Sequence, residues 1–242
     1  ASETITLGDT VKNSWLALYY NVGTGTGKRN LLHYNDSAHG EFDFLETTAN
    51  ATTSILTRYY FNGSSTVSLT PNIPSSVTTN GAANTPTSIG DLSFIWSTVN
   101  LNPVDGKVGI WTDNASSCLT SVTAPNSIVT IGNYAFTTCT LLTQFGNGTA
   151  YTFPTALKTL GASAFTYSGL LKAYLPGVTS INAENPFLGC FQLSVLQINS
   201  DATSSGQTYY SDENNIYKAS GNNKYNELVL GADGASTFNG ST

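Results

Sequence analysis

The sequence has little charge. Charged residues make up 10% of the 242 residues, far below the usual quarter, and the net charge is -6. The nine Lys and Arg residues are scattered along the chain. Because phosphate binding requires clustered basic residues, this composition argues against a nucleic-acid partner. Ser, Thr, Asn and Gly therefore supply the polar surface, as they do in many secreted β-rich proteins.

Other features are missing as well. No apolar run approaches the ~20 residues of a membrane span, so none is predicted. The chain contains no methionine, and we expect Ala1 to follow a processing site, as in an exported protein. Three cysteines leave at least one thiol unpaired within a monomer. Neither a Gly-x-Ser-x-Gly motif nor a Cys-His motif occurs, which favours a non-enzymatic protein without a cofactor.

The first 90 residues predict a mainly β domain. Short apolar-polar runs such as TITL and FDFLE alternate with turn compositions such as NDSAHG and NGSS, at a spacing of about ten residues. This pattern indicates an N-terminal β-sandwich-like domain over residues 1–90. Residues 71–90 are rich in Pro, Ser, Thr and Asn and predict a linker or a long surface loop, with the domain boundary there.

A repeated pattern dominates the second domain, residues 91–242. Each copy has a proline, then an aliphatic residue, then a phenylalanine, then Cys or Ser three residues later. The three copies contain Pro125, Ile131, Phe136 and Cys139; Pro154, Leu160, Phe165 and Ser168; and Pro176, Ile181, Phe187 and Cys190. Such a period predicts stacked coils, with one short strand per coil and each Phe filling its coil's interior.

The sequence IGNYAFTTC, from Ile131 to Cys139, resembles the BspA-like, or treponemal, leucine-rich repeat. The resemblance covers roughly residues 96–232, with an atypical first coil near residues 96–115 and a Tyr-rich hairpin cap at the C-terminal end. The second copy departs from the pattern by an insertion at residues 146–151, and the third is one residue longer. The resemblance implies a curved solenoid, export to the cell surface, and binding to macromolecules rather than catalysis.

Cys118, Cys139 and Cys190 fall at equivalent repeat positions, which predicts a ladder of buried small residues. Cys139 and Cys190 are two coils apart, roughly 10 Å at ~4.8 Å per coil, which is too far for a disulfide. A bond between Cys118 and Cys139 stays open.

Two non-enzymatic functions compete. In the first, the exposed strand positions of the solenoid bind a protein or a glycan on a cell surface; these positions are Thr143, Gln144, Lys172, Tyr174 and Ser194. In the second, the chain is a structural subunit that binds other copies of itself, and its terminal strand pairs with a neighbour. The candidate residues of that strand are Thr4, Ile5, Thr6 and Leu7.

Motifs with catalytic or ligand-binding chemistry are weak. GTGTGK lacks the spacing of a phosphate-binding loop and predicts a hairpin loop. His33, His39, Glu41 and Asp43 form a loose metal-site candidate, and we favour the explanation that they are polar residues on the solvent side of strands. Glu41 and Asp43 lack an identifiable partner for glycosidase work, so a carbohydrate-active enzyme ranks last. Asp105, Asp212 and Asp233 have turn chemistry rather than calcium-site spacing; no metal is predicted.

Six Asn-x-Ser/Thr sequons are candidate glycosylation sites. They are Asn35, Asn50, Asn62, Asn114, Asn147 and Asn239.

Overall fold

The computed structural model describes residues 29–36, 40–60, 69–79, 82–94, 119–182, 184–198, 209–212, 214–220 and 223–232. These residues form fifteen β-strands and no helix. The mainly β class predicted from the sequence is therefore confirmed.

The N-terminal strands pair antiparallel in two groups, one of three strands and one of two. β1 (Leu31–Asp36) pairs with β2 (Gly40–Glu46), and β2 pairs with β3 (Thr53–Tyr60). The short β4 (Val77–Thr79) pairs antiparallel with β5 (Ala82–Ile89). Phe42, Phe44 and Leu56 are buried in the core, as the apolar-polar runs predict.

These strands continue directly into the sheet of the repeats. β5 runs parallel to both β3 and β7 (Thr130–Ile131), and β9 (Thr159–Leu160) and β11 (Ser180–Ile181) follow in the same parallel direction. The order is β1-β2-β3-β5-β7-β9-β11. The predicted N-terminal sandwich is not confirmed, because the described strands of that half extend the repeat sheet. The division of the chain at residue 90 stays a prediction.

The linker predicted over residues 71–90 is wrong, because β5 lies in the middle of this sheet. The prediction failed because β5 contains Pro86, and a central strand rarely contains proline. The register of β3 against β5 shifts between Ser54 and Ile55, next to the pairing of Ser54 with Pro86. This irregularity accommodates a residue that has no N–H to donate.

A second ladder of strands lies on the other side of the coils. β6 (Ser121–Thr123) pairs parallel with β8 (Gln144–Gly146), and β10 (Lys172–Leu175) pairs parallel with β12 (Val195–Ile198). The prediction of one strand per coil therefore captured this ladder and missed the two-residue strands β7, β9 and β11. Two residues are too few to show a strand's alternation in the sequence.

A column of aromatic rings fills the interior between the two ladders. Successive ring centroids lie 5.0 Å apart for Tyr59 and Phe94, 4.3 Å for Phe94 and Phe136, 4.8 Å for Phe136 and Phe165, and 5.6 Å for Phe165 and Phe187. Interplanar angles of 6° to 27° make these pairs stacked. The column confirms the interior position of the repeat phenylalanines and extends it into the N-terminal half.

Phe94 belongs to a copy of the repeat that the sequence reading missed. SIGDLSF at residues 88–94 matches TIGNYAF at residues 130–136, and their strands pair as Ser88 with Thr130 and Ile89 with Ile131. The Gly132 N–H donates to the Ile89 carbonyl, at an N···O distance of 2.8 Å. The coil predicted near residues 96–115 lies outside the described residues.

A three-stranded antiparallel sheet follows the repeats. It consists of β13 (Tyr209–Ser211), β14 (Asn215–Ser220) and β15 (Asn223–Gly231). Ile216 and Leu230 are buried with the core of the repeats. The Ser211 hydroxyl accepts from the Ile198 N–H at 2.9 Å and donates to the Ile198 carbonyl at 3.1 Å. That this sheet caps the array stays a prediction.

Candidate functional site

The second ladder, which consists of the two-stranded sheets β6-β8 and β10-β12, presents side chains outside the core that we call the strand face. It consists of the outward residues of β6, β8, β10 and β12: Ser121, Thr123, Gln144, Lys172, Tyr174, Val195 and Gln197. All seven are partly exposed, whereas Val122, Phe145, Ala173, Leu175, Leu196 and Ile198 on the same strands are buried. The alternation places the predicted residues Gln144, Lys172 and Tyr174 on one surface.

Thr143 and Ser194, the other two predicted binding residues, immediately precede β8 and β12, and their hydroxyls hydrogen-bond to backbone carbonyls. The Thr143 hydroxyl donates to the Thr120 carbonyl at 3.2 Å, and the Ser194 hydroxyl donates to the Leu171 carbonyl at 3.1 Å. Each carbonyl belongs to the preceding coil. These two hydroxyl protons therefore tie neighbouring coils together, and ligand binding by any of the five residues stays a prediction.

The insertion in the second copy adds a residue to this surface. After β8 the loop closes on itself, since the Asn147 N–H donates to the Thr152 carbonyl at 2.7 Å. At the end of the loop, the backbone carbonyl of Tyr151 accepts a hydrogen bond from the Tyr174 N–H at 3.0 Å. The Lys172 Nζ lies 5.9 Å from the centroid of the Tyr151 ring. The extra length of this copy was the only sequence signal for Tyr151.

Charge on this part of the molecule is sparse. Between residues 119 and 198 the Lys, Arg, Asp and Glu residues are Lys158, Lys172 and Glu184. The Lys158 Nζ donates to the Gly177 carbonyl at 3.1 Å, and Glu184 accepts from the Tyr134 hydroxyl at 3.3 Å. Lys172 is thus the one charged residue among the seven residues of the strand face.

Two of the three repeat cysteines, Cys139 and Cys190, are buried as the predicted ladder of small residues requires. Cys139 and Cys190 are buried free thiols, and Cys118 lies outside the described residues. The Cys190 Sγ donates to the Phe165 carbonyl at 3.1 Å and lies 3.3 Å from the Ser168 hydroxyl. Burial raises the pKa of the Cys139 thiol far above its ordinary value. A thiol of this kind is inert rather than nucleophilic.

This raised pKa predicts a loss of stability in alkali. An unfolded thiol loses its proton as the pH passes about 8.5, whereas the folded Cys139 keeps its proton because burial disfavours the thiolate. The folded state then binds more protons, so the free energy of unfolding falls with rising pH, by up to about 1.4 kcal/mol per unit. We expect the stability advantage of the wild type over Cys139→Ala to shrink between pH 9 and pH 10, measured by urea unfolding. A pH-independent difference would contradict this.

The histidine and acidic residues of β1 and β2 form a charged network. His33 Nδ1 lies 2.8 Å from Asp43 Oδ1, and His33 Nε2 lies 3.0 Å from Glu41 Oε2. Arg58 on β3 also binds the Asp43 carboxylate. The predicted solvent-facing position is wrong for Asp43, because the residue is 3% exposed. Its ion pairs with His33 and Arg58 offset the cost of burying its charge. His39 lies outside the described residues, and within those residues no group of three His, Cys, Asp or Glu is arranged to hold a metal.

The remaining sequence candidates lie in scattered places. Asn35 and Asn50 are exposed, while Asn147 is partly buried and its Nδ2 donates to Asn126 Oδ1 at 3.1 Å. The Asp212 carboxylate accepts from the backbone N–H groups of Asn214 and Asn215 and from the Tyr217 hydroxyl, which is turn chemistry as predicted. Several candidates lie outside the described residues: Thr4, Ile5, Thr6, Leu7, Asn62, Asp105, Asn114, Asp233 and Asn239. Pairing through the terminal strand stays a prediction.

The repeats match a known family of repeat regions. The family model of the BspA type leucine rich repeat region matches residues 114–229, in six copies. Residues 114–229 are therefore a BspA-type leucine-rich repeat region, which confirms the resemblance seen in the sequence. The matching model describes a repeat and names no catalytic activity. A comparison with proteins of curated function finds no match.

Several solved structures are similar in fold. A leucine-rich repeat protein from Bacteroides capillosus is 23% identical, with a TM-score of 0.47, and the match covers 66% of this chain and 94% of that one. A leucine rich cell surface protein from Faecalibacterium prausnitzii is 18% identical, with a TM-score of 0.36, over 83% and 60% of the two chains. The T. pallidum protein TpLRR is 17% identical, with a TM-score of 0.41, over 68% and 70%. This chain spans 38% of the pneumococcal antigen PcpA. The described residues contain no helix long and apolar enough to cross a membrane.

Proposed function

We propose that this chain is a non-enzymatic, secreted or cell-surface binding protein whose strand face contacts a protein or glycan. The observation that carries the proposal is the partial exposure of Gln144, Lys172 and Tyr174 on neighbouring coils, with the Tyr151 ring 5.9 Å from the Lys172 Nζ. Flat phenol rings beside amide and ammonium donors provide stacking and hydrogen bonding at low cost in side-chain entropy. The hydroxyl ties of Thr143 and Ser194 hold the strands beneath these side chains in place.

The proposal is tested by substituting the face while keeping the fold. Wild-type chain and the double variant Gln144→Ala/Tyr174→Ala are applied to arrays of purified glycans and purified extracellular proteins. We expect at least one wild-type signal that falls by tenfold or more in the variant, since buried aromatic contacts dominate binding energies.

The matched control is Tyr134→Ala, which removes an exposed tyrosine elsewhere on the coils. It should keep the wild-type array pattern, and all three proteins should unfold at closely similar urea concentrations. Binding that survives in the double variant at every positive spot would refute the strand face as the binding surface.

A further inference from the structure

Lys172 lies in surroundings that are suited to an anion. Among the described residues it forms no ion pair, and its ammonium is placed near the ring of Tyr151. The other six residues of the strand face are neutral, so no carboxylate on this face competes for the ammonium. In a chain of net charge -6, this face is therefore a local cationic spot that would attract a negatively charged ligand.

The neutral neighbours of Lys172 are held close to it by backbone hydrogen bonds. The Leu171 N–H donates to the Thr143 carbonyl at 3.1 Å, which places Gln144 on the strand beside Lys172. The bond from the Tyr174 N–H to the Tyr151 carbonyl places the second tyrosine alongside the first. Gln144, Tyr151, Lys172 and Tyr174 therefore form one cluster of an ammonium, an amide and two phenols, which we call the lysine cluster.

The chemistry of the lysine cluster distinguishes between classes of anionic ligand. Protein interfaces usually centre on a desolvated apolar core, whereas the strand face has a single aliphatic side chain, that of Val195, which pairs with Lys172. Tyrosine faces can stack against a sugar ring, while amide and phenol groups hydrogen-bond its hydroxyls. The ammonium adds a charge-assisted hydrogen bond to a carboxylate.

We propose that the lysine cluster binds an acidic saccharide, with the sugar carboxylate on Lys172 and a pyranose ring against Tyr151 and Tyr174. This inference rests on the proposed binding function of the strand face and names its ligand class. It requires no change of fold, because β8 and β10 carry Gln144, Lys172 and Tyr174, and the Tyr151 ring of the inserted loop already lies 5.9 Å from the Lys172 Nζ.

The test uses two uronate oligosaccharides of different linkage, tetragalacturonate and a hyaluronan hexasaccharide, each beside its carboxyl methyl ester. Binding is measured by calorimetry for the wild type, Lys172→Gln and Lys172→Arg. We expect at least one acid to bind the wild type about tenfold more tightly than its ester, the size of one lost charge-assisted hydrogen bond. Lys172→Gln should lose the same factor for the acid and little for the ester, and Lys172→Arg should retain binding.

Lys158→Gln is the matched control, because it removes the other lysine of these coils away from the strand face. Its affinity for the acid should equal that of the wild type. Equal binding of acid and ester, an unchanged affinity in Lys172→Gln, or no binding of either acid would overturn the acidic-saccharide assignment. Tighter binding of hexaglutamate peptide than of both uronates would overturn it in favour of an acidic protein segment. Each of these results leaves the array test of the strand face standing, so the two failures are distinguishable.

Discussion

Replacing Phe165 with alanine is expected to lower the free energy of unfolding by about 3–5 kcal/mol. The side chain is fully buried, and its ring stacks on Phe136 at 4.8 Å and on Phe187 at 5.6 Å between centroids. Phe145 and Phe153 form T-shaped pairs with the Phe165 ring, at centroid distances of 5.3 Å and 5.5 Å. The substitution thus removes ring contacts with the coils on both sides and leaves a cavity where the aromatic column passes through the second coil.

Tyr167→Ala is the control, because Tyr167 lies two residues away in the same turn and is 51% exposed. Its loss should cost no more than about 0.5–1 kcal/mol. Urea unfolding followed by far-UV circular dichroism measures both variants against the wild type. Equal midpoints for Phe165→Ala and the wild type would show that the aromatic column does not hold the coils together.

The sequence predicted this column in part, for a definable reason. Phe136, Phe165 and Phe187 each follow an aliphatic residue at nearly constant spacing, and stacked coils must place equivalent residues above one another. Phe94 obeys the same spacing from Ile89. It was missed because the preceding strand, AANTPTSI, has the composition of a loop and contains a proline. Tyr59 joins the column through strand pairing between distant segments, which no local pattern shows.

The sequence likewise predicted only part of the candidate site. Alternation along β10 was enough to place Lys172 and Tyr174 outside the core, since strand side chains have a period of two. The roles of Thr143 and Ser194 depend on carbonyls of the preceding coil, about 23 residues away in the chain. Tyr151 reaches the surface through an insertion whose path back to β10 is set by tertiary contacts. Sequence periodicity describes one coil, whereas these features arise between coils.

Gly161→Ala is expected to destabilise the protein by more than about 3 kcal/mol, although it adds a single methyl group. A Cβ at Gly161 would lie 2.5 Å from the Gly132 carbonyl carbon and 2.6 Å from the Asn133 nitrogen, and both are backbone atoms of the preceding coil. The Asn133 side chain cannot give way easily, because its Oδ1 accepts from the Ala162 N–H at 2.8 Å. The coils would have to separate, and the bond from the Gly161 N–H to the Ile131 carbonyl, 2.8 Å long, would be lost.

The third copy supplies the control for this substitution. Asn182 occupies the equivalent position and is exposed, in a coil that is one residue longer between its aliphatic residue and its cysteine. Asn182→Ala should therefore change the free energy of unfolding by no more than about 1 kcal/mol, through loss of its bond with the Glu184 N–H. Gly132→Ala should repeat the large loss, because its Cβ would lie 2.6 Å from the Asp91 nitrogen and 2.7 Å from the Gly90 carbonyl carbon. If Gly132→Ala and Gly161→Ala both unfold at the wild-type urea concentration, the close contact of successive coils at this position is wrong. If Gly161→Ala alone is destabilised, the copy at residues 88–94 does not stack on the repeats as closely as the later copies do.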